Sequence, residues 1–365
     1  MRITDLRFGR LRVPLRAPLR TRSRITESIE DLVVMIDTDD GSVGHGSAAA
    51  GALLTGDTSG SLLDAMRHHI APAIVGEDIE DLQRLLGRVE RAISRNPAAK
   101  AAIDIAIHDL FGQRYAAPTY RLLGGGEPAF ITAFTIGVDC IDKMVADALE
   151  AVERGFETLK ITVGKDPGID VERIKAVHAA VVGRAVLRVD AGNGWSAKQA
   201  VRALGDLEEA GIRLDTIEHV VSGSRLADVR FVTERVRTPV AARVTGQGLS
   251  GAVDIIRKRA ADIIAFSPLE LGGMREALKI CDLASSYGVE CMMSCGLEGP
   301  ISTVAAAHLA VARADVITRV DLDAPFLGLS HPVSSNVCFA NAEIIIRESP
   351  GLGIRAIEGL EPVAC

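Results

Sequence analysis

An arginine closes the apolar run Pro239-Val-Ala-Ala-Arg243, and it is one of several reactive side chains that end short β-type runs. In chain order these ends are Thr135, Lys160 with Thr162, Asp190, Glu218 with His219, Arg243, Ser267, Cys295 with Glu298, and Asp321 with Asp323. Most of them directly follow three or four apolar residues, as a polar group does where a buried strand emerges. Brought together, such residues suit proton transfer, with Lys160, His219, Cys295 and Glu298 as candidates to carry the proton. Cys295 can also serve as a nucleophile if neighbouring cations lower its pKa. Arg243 offers a planar, five-donor cation able to bridge two carboxylates.

The runs that would position these groups cover residues 131–136, 159–163, 186–190, 216–218, 240–242, 263–266, 290–293 and 316–320, with starts 23 to 30 residues apart. Helical periodicity fills the gaps at 143–154, 170–181, 197–210, 225–236 and 272–287. Eight βα repeats in about 200 residues predict a TIM barrel, whose active site lies at the C-terminal ends of its strands. A doubly wound sheet is the weaker reading, because Gly192-Asn-Gly-Trp lacks the G-x-G-x-x-G spacing of a dinucleotide site. The first 125 residues differ. Extended segments at 3–13 and 32–38, a turn at Asp39-Asp-Gly, and helices at 61–74, 80–93 and 98–111 predict a small α+β domain. His108 and Asp109 lie in the last of these helices among apolar residues and read as structural.

Composition narrows the function. The 365 residues are 48% hydrophobic and 24% charged with a net charge of -7, and the basic residues are scattered. This gives no electrostatic footprint for nucleic acid or an anionic membrane surface. No apolar run approaches the roughly 18 residues of a membrane span, and the N-terminus has no signal-peptide core. A cytoplasmic protein acting on a small molecule is expected. Six cysteines without C-x-x-C spacing suggest neither a disulfide framework nor a zinc site.

Several longer stretches resemble the enolase superfamily, in its mandelate racemase and muconate lactonizing branch, and within that the dipeptide epimerases. They are Leu54-Thr-Gly-Asp-Thr-Ser-Gly-Ser, Asn96-Pro-Ala-Ala-Lys-Ala-Ala-Ile-Asp-Ile-Ala-Ile-His-Asp-Leu, Tyr120-Arg-Leu-Leu-Gly-Gly, Arg154-Gly-Phe-Glu-Thr-Leu-Lys-Ile-Thr-Val-Gly-Lys-Asp, Arg188-Val-Asp-Ala-Gly-Asn-Gly-Trp, Leu271-Gly-Gly and Asp321-Leu-Asp-Ala-Pro. The resemblance implies an α+β cap (1–125), a modified (β/α)7β barrel (126–325) and a C-terminal segment returning to the cap (326–365). It implies proton abstraction α to a carboxylate or amide carbonyl, with Mg²⁺ stabilising the enolate and lysines on the second and sixth strands moving the proton. By analogy it also implies a homo-oligomer.

Position by position the resemblance is incomplete. Asp190 and Glu218 match two acidic metal ligands, but Arg243 stands at the third. Thr162 replaces the second-strand base, Lys160 being the retained first lysine of that motif, and Ser267 replaces the sixth-strand lysine. His219-Val follows Glu218 where Gln-Pro is usual, and Ser47 stands where a glutamate is common. Asp321 and Asp323 match the pair that binds a substrate ammonium, and Arg24, in the arginine-rich segment 20–24, can receive a carboxylate. Thr135, Thr162, Ser267 and Arg243 would complete the binding site.

The expectation is a metal-independent isomerase or lyase acting on an amino-acid-like or dipeptide-like substrate with amine and carboxylate groups. In it Arg243 replaces the metal beside the remnant ligands Asp190 and Glu218. No cofactor is then needed, and Mg²⁺ enters only if those two carboxylates suffice despite Arg243. The alternatives are a non-catalytic ligand-binding protein and a conventional Mg²⁺-dependent dipeptide epimerase.

Overall fold

The computed structural model describes residues 1–51, 56–221 and 225–363. Residues 54 and 55 of the Leu54 stretch and Cys365 lie outside the described residues. Two long antiparallel strands, Ile3–Arg20 and Ile25–Thr38, form the cap sheet with Val43–Ala49. In the first of them Leu11, Val13 and Leu15 turn inward while Arg10 and Arg12 face water, the period-two alternation of a half-buried strand. Both strands run well beyond the segments expected from sequence, because each supplies the other's ladder as far as a turn at Thr21 and Arg24. The sheet rests on the helix Pro97–Arg114, to which Gly46 lies so close that a Cβ would sit 1.8 Å from the Ala102 carbonyl oxygen. The C-terminal Glu361–Pro362 pairs antiparallel with the first cap strand.

The barrel strands are Phe134–Ile136, Thr158–Thr162, Val186–Asp190, Leu214–Glu218, Val240–Arg243, Ile263–Phe266, Glu290–Ser294 and Ile317–Asp321. Each pairs in parallel with the next, and the Ala133 amide donates to the Val320 carbonyl at 3.1 Å across the remaining gap. The run expected at 131–136 is two elements. Only Phe134–Ile136 joins the barrel, while Ala129–Ile131 pairs with Glu343–Ile346 in a separate antiparallel sheet. The residues between them turn away because the Thr132 amide bonds Ala342 and the Ala133 amide bonds Val320. Among the described residues no helix is long and apolar enough to cross a membrane.

Glycines let the cap dock on the barrel. Gly273 precedes the helix Met274–Tyr287 at φ +121°, and its missing Cβ would lie 2.3 Å from Asp104 of the cap. Asp104 accepts the Met274 amide at 2.7 Å, so a cap carboxylate satisfies an open N–H at a barrel helix's start. His108 is bound to Asp104, and Asp109 accepts the amides of His45 and Leu352, which is the structural role expected for both residues. Gly273→Ala is expected to lose about 1–3 kcal/mol from backbone strain alone, with the clash on Asp104 adding to it, as read by urea denaturation.

Candidate active site

Parallel register sets the mouth of the barrel. Thr162 lies beside Asp190, Asp190 beside Glu218, and Ser294 beside Asp321, so the strand ends form one rim. Two residues back on their strands, Lys160 and Arg188 share the inward face of Thr162 and Asp190. The cap hairpin turn lies over this mouth: Val138 donates to the Arg20 carbonyl, and Arg24 Nη2 donates to the Gly296 carbonyl at 3.0 Å. A cavity of about 220 Å³ between cap and barrel is lined by Arg24, Glu30, Leu269, Glu270, Leu297 and Glu298. A second, of about 210 Å³, also reaches Glu298 and is walled by apolar residues including Val13, Val304 and Phe339.

Lys160 is buried between two carboxylates, its Nζ 3.4 Å from Glu218 and 3.2 Å from Asp321. Burial alone would lower its pKa, but Asp321 and Glu218 outweigh burial and raise it. These contacts hold Lys160 as an ammonium. Asp321 is held twice, since Arg188 Nη1 also donates to it at 2.7 Å. Its carboxyl stays low: burial opposes ionisation, and Lys160 and Arg188 overcome that. The expected ammonium-binding pair is thus unequal, because Asp321 already answers two cations. The Asp323 carboxylate accepts the Thr135 amide at 2.7 Å, and burial pushes its pKa up.

Arg243 does not bridge Asp190 and Glu218. Its guanidinium makes a forked pair with Glu270, Nε to Oε2 at 2.7 Å and Nη2 to Oε1 at 3.0 Å, and also donates to Ser294. It approaches Glu218 only at 3.9 Å. Glu270 follows the sixth strand on the short helix Pro268–Leu271 and gives the planar cation a bidentate partner that Asp190 and Glu218 cannot match. The group that contacts Asp190 is His219, and it and Arg243 Nη1 both stand 3.9 Å from Glu218 Oε2. His219 adopts φ +48°, unusual for a side chain with a Cβ, which turns Nδ1 back to 3.1 Å from Asp190 and 3.9 Å from Glu218. Burial disfavours the imidazolium, but Asp190 outweighs it and raises the pKa of His219. In turn Asp190 is held low, His219 and Lys160 overcoming the effect of burial.

Ligand atoms of Asp190, Glu218 and His219 lie within 4.8 Å of one another. Glu218 Oε2, buried without a hydrogen-bond partner, faces this cluster. Two carboxylates, one of them with the unsatisfied buried oxygen Glu218 Oε2, and an imidazole fit a divalent cation, and Arg243 is paired with Glu270. Sequence reasoning placed Arg243 correctly on its strand but did not find Glu270 or Arg188. Arg188 could have been found, since it shares the inward parity of Asp190.

Across the barrel, Ser267 ends the sixth strand and donates to Glu298, while accepting the Leu269 amide at 3.2 Å. Leu297 at φ +68° folds the chain after the seventh strand so that Glu298 points back to Ser267. Burial raises the Glu298 carboxyl to about 7, the Ser267 hydroxyl and Arg243 limiting the rise and Glu270 adding to it. Cys295 does not gain the lowered pKa that would make it a nucleophile. Burial and the nearby Glu298 push it well up, and its sulfur accepts the Glu298 amide at 3.1 Å, leaving a thiol that shapes the turn. Thr162 is buried at its strand end. All five described cysteines are free.

A parallel eight-stranded barrel closed by an antiparallel cap is the architecture of the enolase superfamily. The chain belongs to the mandelate racemase and muconate lactonizing enzyme family. Residues 4–124 match the mandelate racemase / muconate lactonizing enzyme N-terminal domain, and residues 143–359 match the enolase C-terminal domain-like family. The L-Ala-D/L-Glu epimerase of Clostridium acetobutylicum is 42% identical over 98% of this chain and 99% of its own. A substrate-liganded L-Ala-D/L-Glu epimerase from Bacillus subtilis superposes with a TM-score of 0.95 at 33% identity, covering 98% of this chain and 99% of that one. A dipeptide epimerase from Enterococcus faecalis complexed with Mg and L-Leu-L-Tyr gives 0.93 at 34% identity, covering 97% and 99%.

The raised Glu298 carboxyl makes a stability prediction. Its neutral form is favoured in the fold, so its contribution is complete below the unfolded value of about 4.3 and is lost as pH rises through about 7. Glu298→Gln remains neutral and should gain stability relative to the native chain between pH 5 and pH 8, measured by urea denaturation at both.

Proposed function

We propose that the chain is a dipeptide isomerase of the epimerase type, working with a divalent cation held by Asp190, Glu218 and His219. The observation that carries this reading is the convergence of those three residues around the unsatisfied Glu218 oxygen, together with the diversion of Arg243 to Glu270. It replaces the expectation of a metal-independent site in which Arg243 takes the cation's place. The similarity to enzymes named as dipeptide epimerases supports the substrate class. A bound cation would supply Lewis-acid stabilisation of the charge that develops on a carbonyl oxygen when the adjacent C–H is broken.

The chain's own residues supply the rest. Glu298, with a carboxyl near neutrality and the Ser267 hydroxyl to orient it, takes the proton from the substrate α-carbon. Lys160, an ammonium on the second strand, is the acid that protonates the other face and becomes the neutral amine as it does so. Asp323 receives the substrate ammonium, since Asp321 is committed to Lys160 and Arg188. Arg24, beside the cap cavity, receives the terminal carboxylate, and burial lowers its pKa without removing its charge at neutral pH.

The test is deuterium incorporation at the α-carbon of a panel of dipeptides in D₂O. Incorporation is expected with Mg²⁺ or Mn²⁺, absent after EDTA and in Glu298→Gln. No incorporation into any dipeptide with either cation would remove the isomerase reading and leave the alternative of a protein that only binds its ligand. Incorporation indifferent to EDTA would restore a metal-independent reaction.

A further inference from the structure

Asp31 lies on the second cap strand, in the inward parity of Ile29 and Val33, and is buried with 4% of its surface exposed. Its Oδ2 accepts the Ser47 hydroxyl at 2.7 Å, and Ser47 meets the Ser302 hydroxyl at 2.8 Å on the barrel helix Pro300–Ala312. Ser302 in turn donates to the Ser47 carbonyl at 3.0 Å. The same carboxylate presses on the residue that starts this helix. A Cβ at Gly299 would lie 1.7 Å from Asp31 Oδ2, so Asp31 fills the space that any larger residue would need. Asp31 Oδ1 has no hydrogen-bond partner.

Gly299 directly follows Glu298, so whatever fixes Gly299 fixes the stem of the Glu298 side chain. We infer that Asp31 is a positioning residue: the Ser302–Ser47–Asp31 chain seats the cap against Gly299 and thereby holds Glu298 in its buried place on Ser267. The inference rests on the proposed role of Glu298 in proton transfer, but its geometry stands without that role. Burial raises Asp31 to about 6, and the Ser47 hydroxyl and the Gly299 amide are the groups that favour its charged form. Glu298 is the titratable residue next to Gly299 in the chain. An ionised carboxylate held here opposes stability above that pH and persists through the contact it makes.

Asp31→Asn tests this, with the carboxyl of Glu298 followed by infrared titration and assigned as the band missing in Glu298→Gln. In the native chain the midpoint should be about 7. In Asp31→Asn it should fall by about one unit toward the ordinary carboxylate range as Glu298 gains water. The variant should melt higher than the native chain at pH 8, and the acid limb of its kcat/KM profile should move with the band. The proposed turnover should fall about tenfold to a hundredfold in kcat with little change in KM. Ser47→Ala keeps Asp31 but removes the hydroxyl that holds it, and should move the band the same way by less, which covers the case of an unfolded Asp31→Asn. A Glu298 band unmoved in both variants overturns the inference. A band that moves while Glu298→Gln still exchanges deuterium supports the positioning and refutes the proton-transfer role.

Discussion

Six carboxyl groups, those of Asp190, Glu218, Glu270, Glu298, Asp321 and Asp323, crowd one barrel mouth, and the structure depends on how each is answered. Lys160 is shared by Glu218 and Asp321, Arg188 fixes Asp321 from the interior, and Arg243 is spent on Glu270. Asp323 and Glu298 lack a dedicated cation, and burial raises both. That leaves Asp190 and Glu218 with His219, whose imidazole can pair with them as a cation or join them as a ligand. The order is physically determined, since a forked guanidinium–carboxylate pair is the strongest match available and takes Arg243 first.

The same economy governs how the cap meets the barrel. Barrel helices after the sixth and seventh strands begin next to glycines whose missing side chains make room for cap carboxylates, Asp104 at Gly273 and Asp31 at Gly299. A negative charge at a helix start is favourable, and the absence of a Cβ lets the backbones approach. The two helix starts fixed in this way follow the strand-to-helix segments that carry Ser267 and Glu298. The cap is therefore part of the site's geometry as well as its lid.

Much of this was legible in the sequence. Eight apolar runs at even spacing predicted the barrel, and a polar residue after each run identified the rim, because strand parity and the βα repeat are local properties. The resemblance also implied that Arg243, Thr162 and Ser267 depart from the family pattern. The pairing of charges was not legible. Glu270 meets Arg243 only because the next strand ends in a short helix, and His219 reaches Asp190 only through a left-handed backbone that composition does not announce. Asp31 carried a readable signal, a carboxylate in step with Ile29 and Val33 on the buried face of a strand. What it touches depends on the far end of the chain.

Asp190, Glu218 and His219 are the proposed cation ligands, with Arg243 forked on Glu270. Anomalous diffraction from crystals grown with Mn²⁺ tests this assignment most directly. The account predicts one strong peak within ligand distance of all three residues, with Arg243 still forked on Glu270. No peak there, with the guanidinium moved between Asp190 and Glu218, would contradict it.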